Sequence, residues 1–262
     1  MSILQAILLG ILQGLTEFLP ISSSGHLILV RDVLGWGFGT PQIEKTFDVA
    51  LHFGTFIGIT AYFLSDIGRL FRGFARAVYS RNLADPYSRL SLLILIATIP
   101  AALAGFYGEE FIENRLGAPL LVCGMLIFFG LLMAWADWAG RRQRDLSSAG
   151  WWDGIIIGIA QALALMPGTS RSGVTITAGL FLGLRRETAA RFSFLISLPA
   201  VAGAALLKGV KLFSSDIPQG LSVPMAVGTL AAALSGLFAI SWLLRYLQTH
   251  SLKPFVIYRI VL

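Results

Sequence analysis

Four largely apolar stretches, at residues 46–64, 90–107, 120–136 and 191–207, each have the roughly 18-residue length that a helix needs to cross the hydrocarbon core of a bilayer. Runs of that kind recurring from end to end ask for a chain that crosses a membrane several times. With 56% hydrophobic residues, 13% charged residues and a mean hydropathy of +0.76, the composition lies far from that of a soluble domain. Residues 1–262 are therefore read as a single membrane domain.

The amino-terminal apolar run at 3–12 lacks a basic flank and a small-residue cleavage pattern, so it is read as retained rather than as a secretory signal. Cys123 is the only cysteine, which excludes disulfides within the chain and thiolate metal clusters; it is read as a small buried hydrophobe. The net charge of +6 and pI near 9.8 do not point to nucleic acid, because the basic residues are dispersed among membrane spans. They report topology instead. Arg69, Arg72, Arg76, Arg81 and Arg89 crowd the connection at 65–89, and Arg141, Arg142 and Arg144 that at 138–153. The connection at 108–117 carries Glu109, Glu110 and Glu113 with only Arg115. The positive-inside rule places the first two in the cytoplasm and the third outside.

Two segments break the spanning pattern. The first is apolar from 3 to 19, passes through Pro20-Ile21-Ser22-Ser23-Ser24-Gly25-His26, and is apolar again from 27 to 34. The second is apolar from 154 to 166, passes through Pro167-Gly168-Thr169-Ser170-Arg171-Ser172-Gly173, and resumes from 174 to 184. An offset of 148 aligns them, matching Gly10 with Gly158, Gln13 with Gln161, Ser22 with Ser170, Ser24 with Ser172 and Gly25 with Gly173. At an offset of 145 Phe47 matches Phe192 and Gly58 matches Gly203, and the stretch at 98–105 resembles that at 229–236. The chain thus reads as two repeats, about 1–137 and about 151–262, each a broken hairpin followed by three spans. Three spans carry the second hairpin to the opposite face, so the repeats are inverted, and the distribution of arginines agrees. The expected fold is an all-α membrane protein with six transmembrane helices and two re-entrant helical hairpins, the last helix, 255–262, being too short to cross. Such architecture places ligand sites near the midplane.

Interrupted backbone at membrane depth is tolerated where it lines a cavity, so the two loops are expected to face one another. Each returning half-helix starts just after the serines and aims free N–H groups at that cavity, which favours an anion. Arg171 needs a standing anionic partner there, and its fork suits phosphate oxygens; the alternative is that it only pairs with Glu17 to hold the loops together. Ser170, Ser172 and Thr175 add hydroxyl donors, and Ser22, Ser23 and Ser24 do so in the first loop, where helix capping is the competing role. Glu17 and His26 are acid–base groups, His26 having passive packing as its alternative, and Gln13 shares a helical face with Glu17. These two offer too few oxygens for Mg²⁺ or Ca²⁺ alone, although one carboxylate with substrate phosphates suffices. Asp48 and His52 are read chiefly as span-end residues, a contribution to such a site staying open. Small-residue pairs such as Gly54 and Gly58 suit packing within one chain or between two, so a homodimer stays open as well.

The stretch Gln13-Gly14-Leu15-Thr16-Glu17-Phe18-Leu19-Pro20-Ile21-Ser22-Ser23-Ser24-Gly25-His26 and the stretch Pro167-Gly168-Thr169-Ser170-Arg171-Ser172-Gly173-Val174-Thr175 resemble the two motifs of the integral-membrane undecaprenyl-diphosphate phosphatases of the bacitracin-resistance family. The resemblance covers nearly the whole chain. It implies removal of the terminal phosphate of undecaprenyl diphosphate at the outer, periplasmic face of the bacterial cytoplasmic membrane, recycling the lipid carrier for peptidoglycan synthesis. It also implies dependence on a divalent cation, Mg²⁺ or Ca²⁺, held by Glu17 and Gln13. Carried onto this sequence, Glu17 and His26 are acid–base or metal-linked residues, Ser23 is the nucleophile or a phosphate contact, and Arg171 with Ser170 and Thr175 binds the diphosphate. Gln13 stands where the family has Glu or Gln, so a second carboxylate at that spacing is absent. Either Ser23, deprotonated by His26, or a water activated by Glu17 attacks. The rival reading is a polyprenyl-phosphate flippase or transporter, because inverted repeats with broken helices are transporter architecture.

Overall fold

Apolar sequence of this kind closes its backbone hydrogen bonds locally, and the computed structural model is helical throughout, with no strand among the described residues. The backbone is described for residues 1–37, 40–115, 118–213 and 220–262, and the side chains at 41, 109–115, 119, 205–213 lie outside the described set. The acidic side chains on which the outside assignment of the 108–117 connection rests fall there, as does most of the 208–222 connection.

Eleven α-helices follow in order among the described residues: α1 Ile3–Phe18, α2 Ser23–Leu34, α3 Pro41–Tyr62, α4 Leu64–Tyr79, α5 Pro86–Arg115, α6 Pro119–Ala139, α7 Trp151–Leu163, α8 Arg171–Phe181, α9 Arg186–Phe213, α10 Ser222–Tyr246 and α11 Lys253–Val261. Segments Pro86–Gly108, Leu120–Ala139 and Ser222–Tyr246 are long and apolar enough to cross a membrane, and α3 with α4 forms a further such stretch bent by 76°. With the exposed apolar belt on these helices, the chain is an all-α membrane protein. At 1.5 Å per residue, the 16-residue α1 and 13-residue α7 reach only about 24 and 20 Å, short of a core of about 30 Å.

The two loops are built alike. Ser22 (φ 74°, ψ 99°) and Ser170 (φ 68°, ψ 111°), aligned at the offset of 148, both sit in the left-handed half of φ as N-caps of the returning helices. In each loop the hydroxyl of that serine lies 3.4 Å from the hydroxyl two residues on, Ser24 or Ser172. Gln13 and Gln161 are both buried, each with an amide oxygen that has no protein hydrogen-bond partner.

Glycines let these short helices dock closely. α1 and α3 pack against α10, and α7 packs against α5. A methyl at Gly14 would lie 2.0 Å from Ser235 Oγ and 2.5 Å from the Ala232 carbonyl oxygen, and one at Gly158 2.6 Å from that of Ala97. Gly54 and Gly58 face α10 of the same chain at similarly short range, so packing within the chain accounts for them. Gly14→Ala is expected to cost about 1–3 kcal/mol through overpacking, read as a lower thermal unfolding midpoint in detergent; an unchanged midpoint would contradict this contact.

Two expectations change, for the 65–89 connection and for Cys123, while the last segment is too short to cross, as expected. The 65–89 connection is largely the helix α4, whose average polarity hides a stripe of apolar residues, Leu64, Ile67, Phe71, Phe74 and Val78, at helical spacing. Residues 253–261 form a short helix packed on α6, with Phe255, Val256 and Arg259 buried. Cys123 is a free thiol of intermediate exposure rather than a buried one. Several arginines have carboxylate partners: Arg144 donates to Asp153 at 2.6 Å and to the Leu182 carbonyl at 2.8 Å, Arg186 pairs with Asp137, and Arg191 binds Asp66 through both oxygens at 2.9 Å. These pairs tie α4, α6 and α9 together around residues 137–153.

Candidate active site

Glu17 occupies the last turn of α1, one residue before the helix ends at Phe18. The chain then turns through Pro20 and Ser22, and α2 begins at Ser23, which brings the Ser23 hydroxyl back to the carboxylate six residues earlier. Ser23 Oγ donates to Glu17 Oε2 at 2.7 Å, and Gln13 Nε2, one turn below, donates to the same oxygen at 3.0 Å. Arg171, the first residue of α8, crosses from the second loop and donates through Nη2 to Glu17 Oε1 at 2.6 Å. The two loops thus meet at one carboxylate. Its side chain is only 9% exposed, and that of Arg171 19%, so the pair is shielded yet reachable.

The pairing of Arg171 with Glu17 is present, and it does not exhaust the guanidinium, which has five N–H donors. A second loop contact supports it: Ser172 Oγ donates to the Leu19 carbonyl at 3.1 Å. The start of α2 and the start of α8 both flank the pair, each contributing the positive end of its dipole.

His52 joins the site from α3, with Nε2 3.8 Å from Glu17 Oε2. Its expected role at a span end is thus replaced by a place beside the carboxylate, whereas Asp48 pairs with Arg31 in the last turn of α2 and anchors the first hairpin to α3. The contribution left open for His52 by the sequence is thus supplied across helices, from α3 to the end of α1.

His26 is buried and its two ring nitrogens are committed elsewhere. Nδ1 lies 2.7 Å from the Ser22 carbonyl, which can only accept, so Nδ1 carries the proton; Nε2 lies 2.7 Å from the Tyr258 hydroxyl and accepts from it in the neutral ring. The hydrogen bond of Ser23 goes to Glu17, which corrects the expectation of a Ser23–His26 couple. The other hydroxyls divide as follows. Ser24 is exposed at the loop, and Ser22 is buried as the α2 N-cap. Ser170 Oγ accepts from the Gly173 N–H and caps α8. Thr175 departs furthest from a phosphate-binding role: 1% exposed, its hydroxyl lies 2.7 Å from the Arg171 carbonyl, to which it donates, and 2.6 Å from Ser193 Oγ. It supports the helix that presents Arg171.

A divalent cation finds a partial donor set here. No group of three His, Cys, Asp or Glu residues gathers among the described residues, but the Gln13 amide oxygen is buried without a protein partner beside Glu17. One carboxylate and one amide oxygen fit a hard cation that takes its remaining ligands from a phosphorylated ligand and water.

The family described as bacitracin resistance protein BacA matches residues 6–262. The chain is 47% identical over 262 residues to the undecaprenyl-diphosphatase of Pelobacter propionicus, covering 100% of this chain and 94% of that protein. It is 48% identical over 262 residues to that of Geobacter sulfurreducens (100% and 96% covered), and 45% identical over 270 residues to that of Thermomicrobium roseum (100% and 96% covered). The Glu17–Arg171 junction is therefore the centre of a chain that belongs to the BacA family of bacitracin resistance proteins.

Proposed function

We propose that this protein hydrolyses undecaprenyl diphosphate to undecaprenyl phosphate and inorganic phosphate, recycling the lipid carrier of peptidoglycan synthesis and so conferring resistance to bacitracin. The observation that carries the mechanism is the chain Ser23 Oγ to Glu17 Oε2 at 2.7 Å and Glu17 Oε1 to Arg171 at 2.6 Å. A serine hydroxyl donating to a buried carboxylate is poised to lose its proton as it attacks. Ser23 Oγ attacks the terminal phosphorus, Glu17 takes the hydroxyl proton, and the bond from that phosphorus to the bridging oxygen breaks, releasing the lipid monophosphate. Glu17 gives that proton to the departing monophosphate and is a carboxylate again; it then takes a proton from a water that attacks the phosphoserine phosphorus, the Ser23 O–P bond breaks, the serine oxygen takes the proton back, and inorganic phosphate leaves. Arg171 and the N–H groups at the starts of α2 and α8 bind the non-bridging oxygens, where charge rearranges in the transition state.

Gln13 and Glu17 would hold Mg²⁺ or Ca²⁺, which neutralises diphosphate charge when bound. The exposed apolar helices leave the prenyl tail in lipid while the headgroup reaches the loops. The two hairpins are read as re-entrant from opposite faces of the cytoplasmic membrane, with six spans, repeats at about 1–137 and 151–262, and the site open to the periplasm; the equivalent serine caps and the clustered arginines support that arrangement.

The test is phosphate release from a C55 diphosphate by the purified protein in detergent, set against translocation of the monophosphate in sealed vesicles. Release that disappears in Glu17→Gln is the expected result. Translocation by a protein that releases no phosphate would overturn the proposal in favour of a flippase.

A further inference from the structure

Arg259 is 1% exposed, and none of the ion pairs among the described residues includes it. All five of its hydrogen bonds go to main-chain carbonyls. Nε donates to Leu126 at 3.0 Å, Nη1 to Pro20 at 3.4 Å, and Nη2 to Met125 at 3.4 Å, Gly168 at 3.0 Å and Thr169 at 3.1 Å. Pro20 belongs to the first serine loop, Gly168 and Thr169 to the second, and Met125 and Leu126 to α6. The neighbouring side chain, Tyr258, reaches His26 with its hydroxyl at 2.7 Å, the two rings lying within 6° of parallel.

A buried guanidinium without a carboxylate is costly, so its bonds must answer a specific need. The loops create that need: the carbonyls of Pro20, Gly168 and Thr169 lie beyond the ends of α1 and α7, where no helix supplies a partner, while Met125 and Leu126 inside α6 take a second bond. A planar fork with five donors can bridge several of them at fixed geometry, and its charge complements the negative ends of both helices. Space is kept for it, since a methyl at Gly173 would lie 3.0 Å from Nη1.

We propose that Tyr258 and Arg259 are positioning residues of the phosphatase site: Arg259 fixes the two loops at the spacing that lets Arg171 meet Glu17, and Tyr258, bonded to and stacked on His26, holds the first turn of α2 that presents Ser23 to Glu17. This rests on the function proposed above. Neither residue needs to touch the substrate.

The test uses the full-length protein in detergent with a C55 diphosphate, following kcat, KM and thermal unfolding together, with Glu17→Gln in parallel. Arg259→Lys keeps the charge but loses the fork, and kcat is expected to fall about 10²-fold with KM changed by no more than about threefold. Tyr258→Phe removes one hydroxyl from a side chain that is 43% exposed; kcat should fall about tenfold with KM and the unfolding midpoint unmoved. Combining Tyr258→Phe with Glu17→Gln should add no further loss. Turnover within about twofold of the parent in both single variants, or a kcat loss that only follows the loss of folded protein, overturns the proposal. If Arg259→Lys does not fold, Tyr258→Phe decides alone by the same criteria. Full activity in Glu17→Gln would instead sink the phosphatase mechanism itself.

Discussion

Glu17→Gln is expected to lower kcat for phosphate release by about 10²–10⁴-fold, the range that a positioned general base contributes. Glutamine has the same shape but a single acceptor oxygen, so it accepts from Arg171 or from Ser23 and not from both, and it loses the capacity to take a proton. The loops have other ties, Ser172 to the Leu19 carbonyl and Arg259 to carbonyls of both, and the variant should therefore elute as folded monodisperse protein in gel filtration. Alanine would be a poorer test, because it removes every acceptor from Arg171 as well as the charge and leaves a cavity between the loops. Steady-state phosphate release at saturating C55 diphosphate decides the matter: turnover within about threefold of the parent would falsify the role given to Glu17.

Arg171→Lys is the second. It keeps a positive charge beside Glu17 but loses the planar fork, and kcat/KM is expected to fall about 10²–10³-fold, the loss seen when one preorganised donor to a developing oxyanion is removed. If Arg171 served only to hold the loops together, lysine would preserve much of the pairing and most of the activity. The double variant Glu17→Gln with Arg171→Lys should be far less impaired than the product of the two single losses, since the groups act on the same step. Strict multiplication of the two effects would show that they act independently.

What could be read from the sequence follows the range of the physics involved. Pro20 and Pro167, each beside a run of serines, mark interrupted helices because proline lacks the N–H a helix needs, and both loops are where they were expected. Glu17 and Arg171 were legible as partners because opposite charges in lipid have few alternatives; the structure joins them. α4 was hidden because arginines lower its average hydropathy while its apolar stripe persists. The Thr175 hydroxyl could not be assigned from residue type, since a threonine inside a helix can turn back to the carbonyl four residues earlier. Tyr258 and Arg259 carry no local signal: a Tyr-Arg pair near the end of an apolar segment reads as an interfacial anchor, and only the tertiary structure carries it to loops that lie far away in sequence.

The docking of α1 on α10 also has a consequence for how the molecule is made. The glycine seam that receives the first hairpin, around Gly228 and Gly236, lies roughly 220 residues downstream of Gly10 and Gly14, so at about 5–20 residues per second the ribosome delivers it roughly 10–40 s later. Through that interval the nascent hairpin lacks the α10 seam and rests only on α3, to which Arg31 and Asp48 tie it. Assembly of the catalytic loops is therefore among the last events of biogenesis, and a fragment ending before α10 would be inserted but inert.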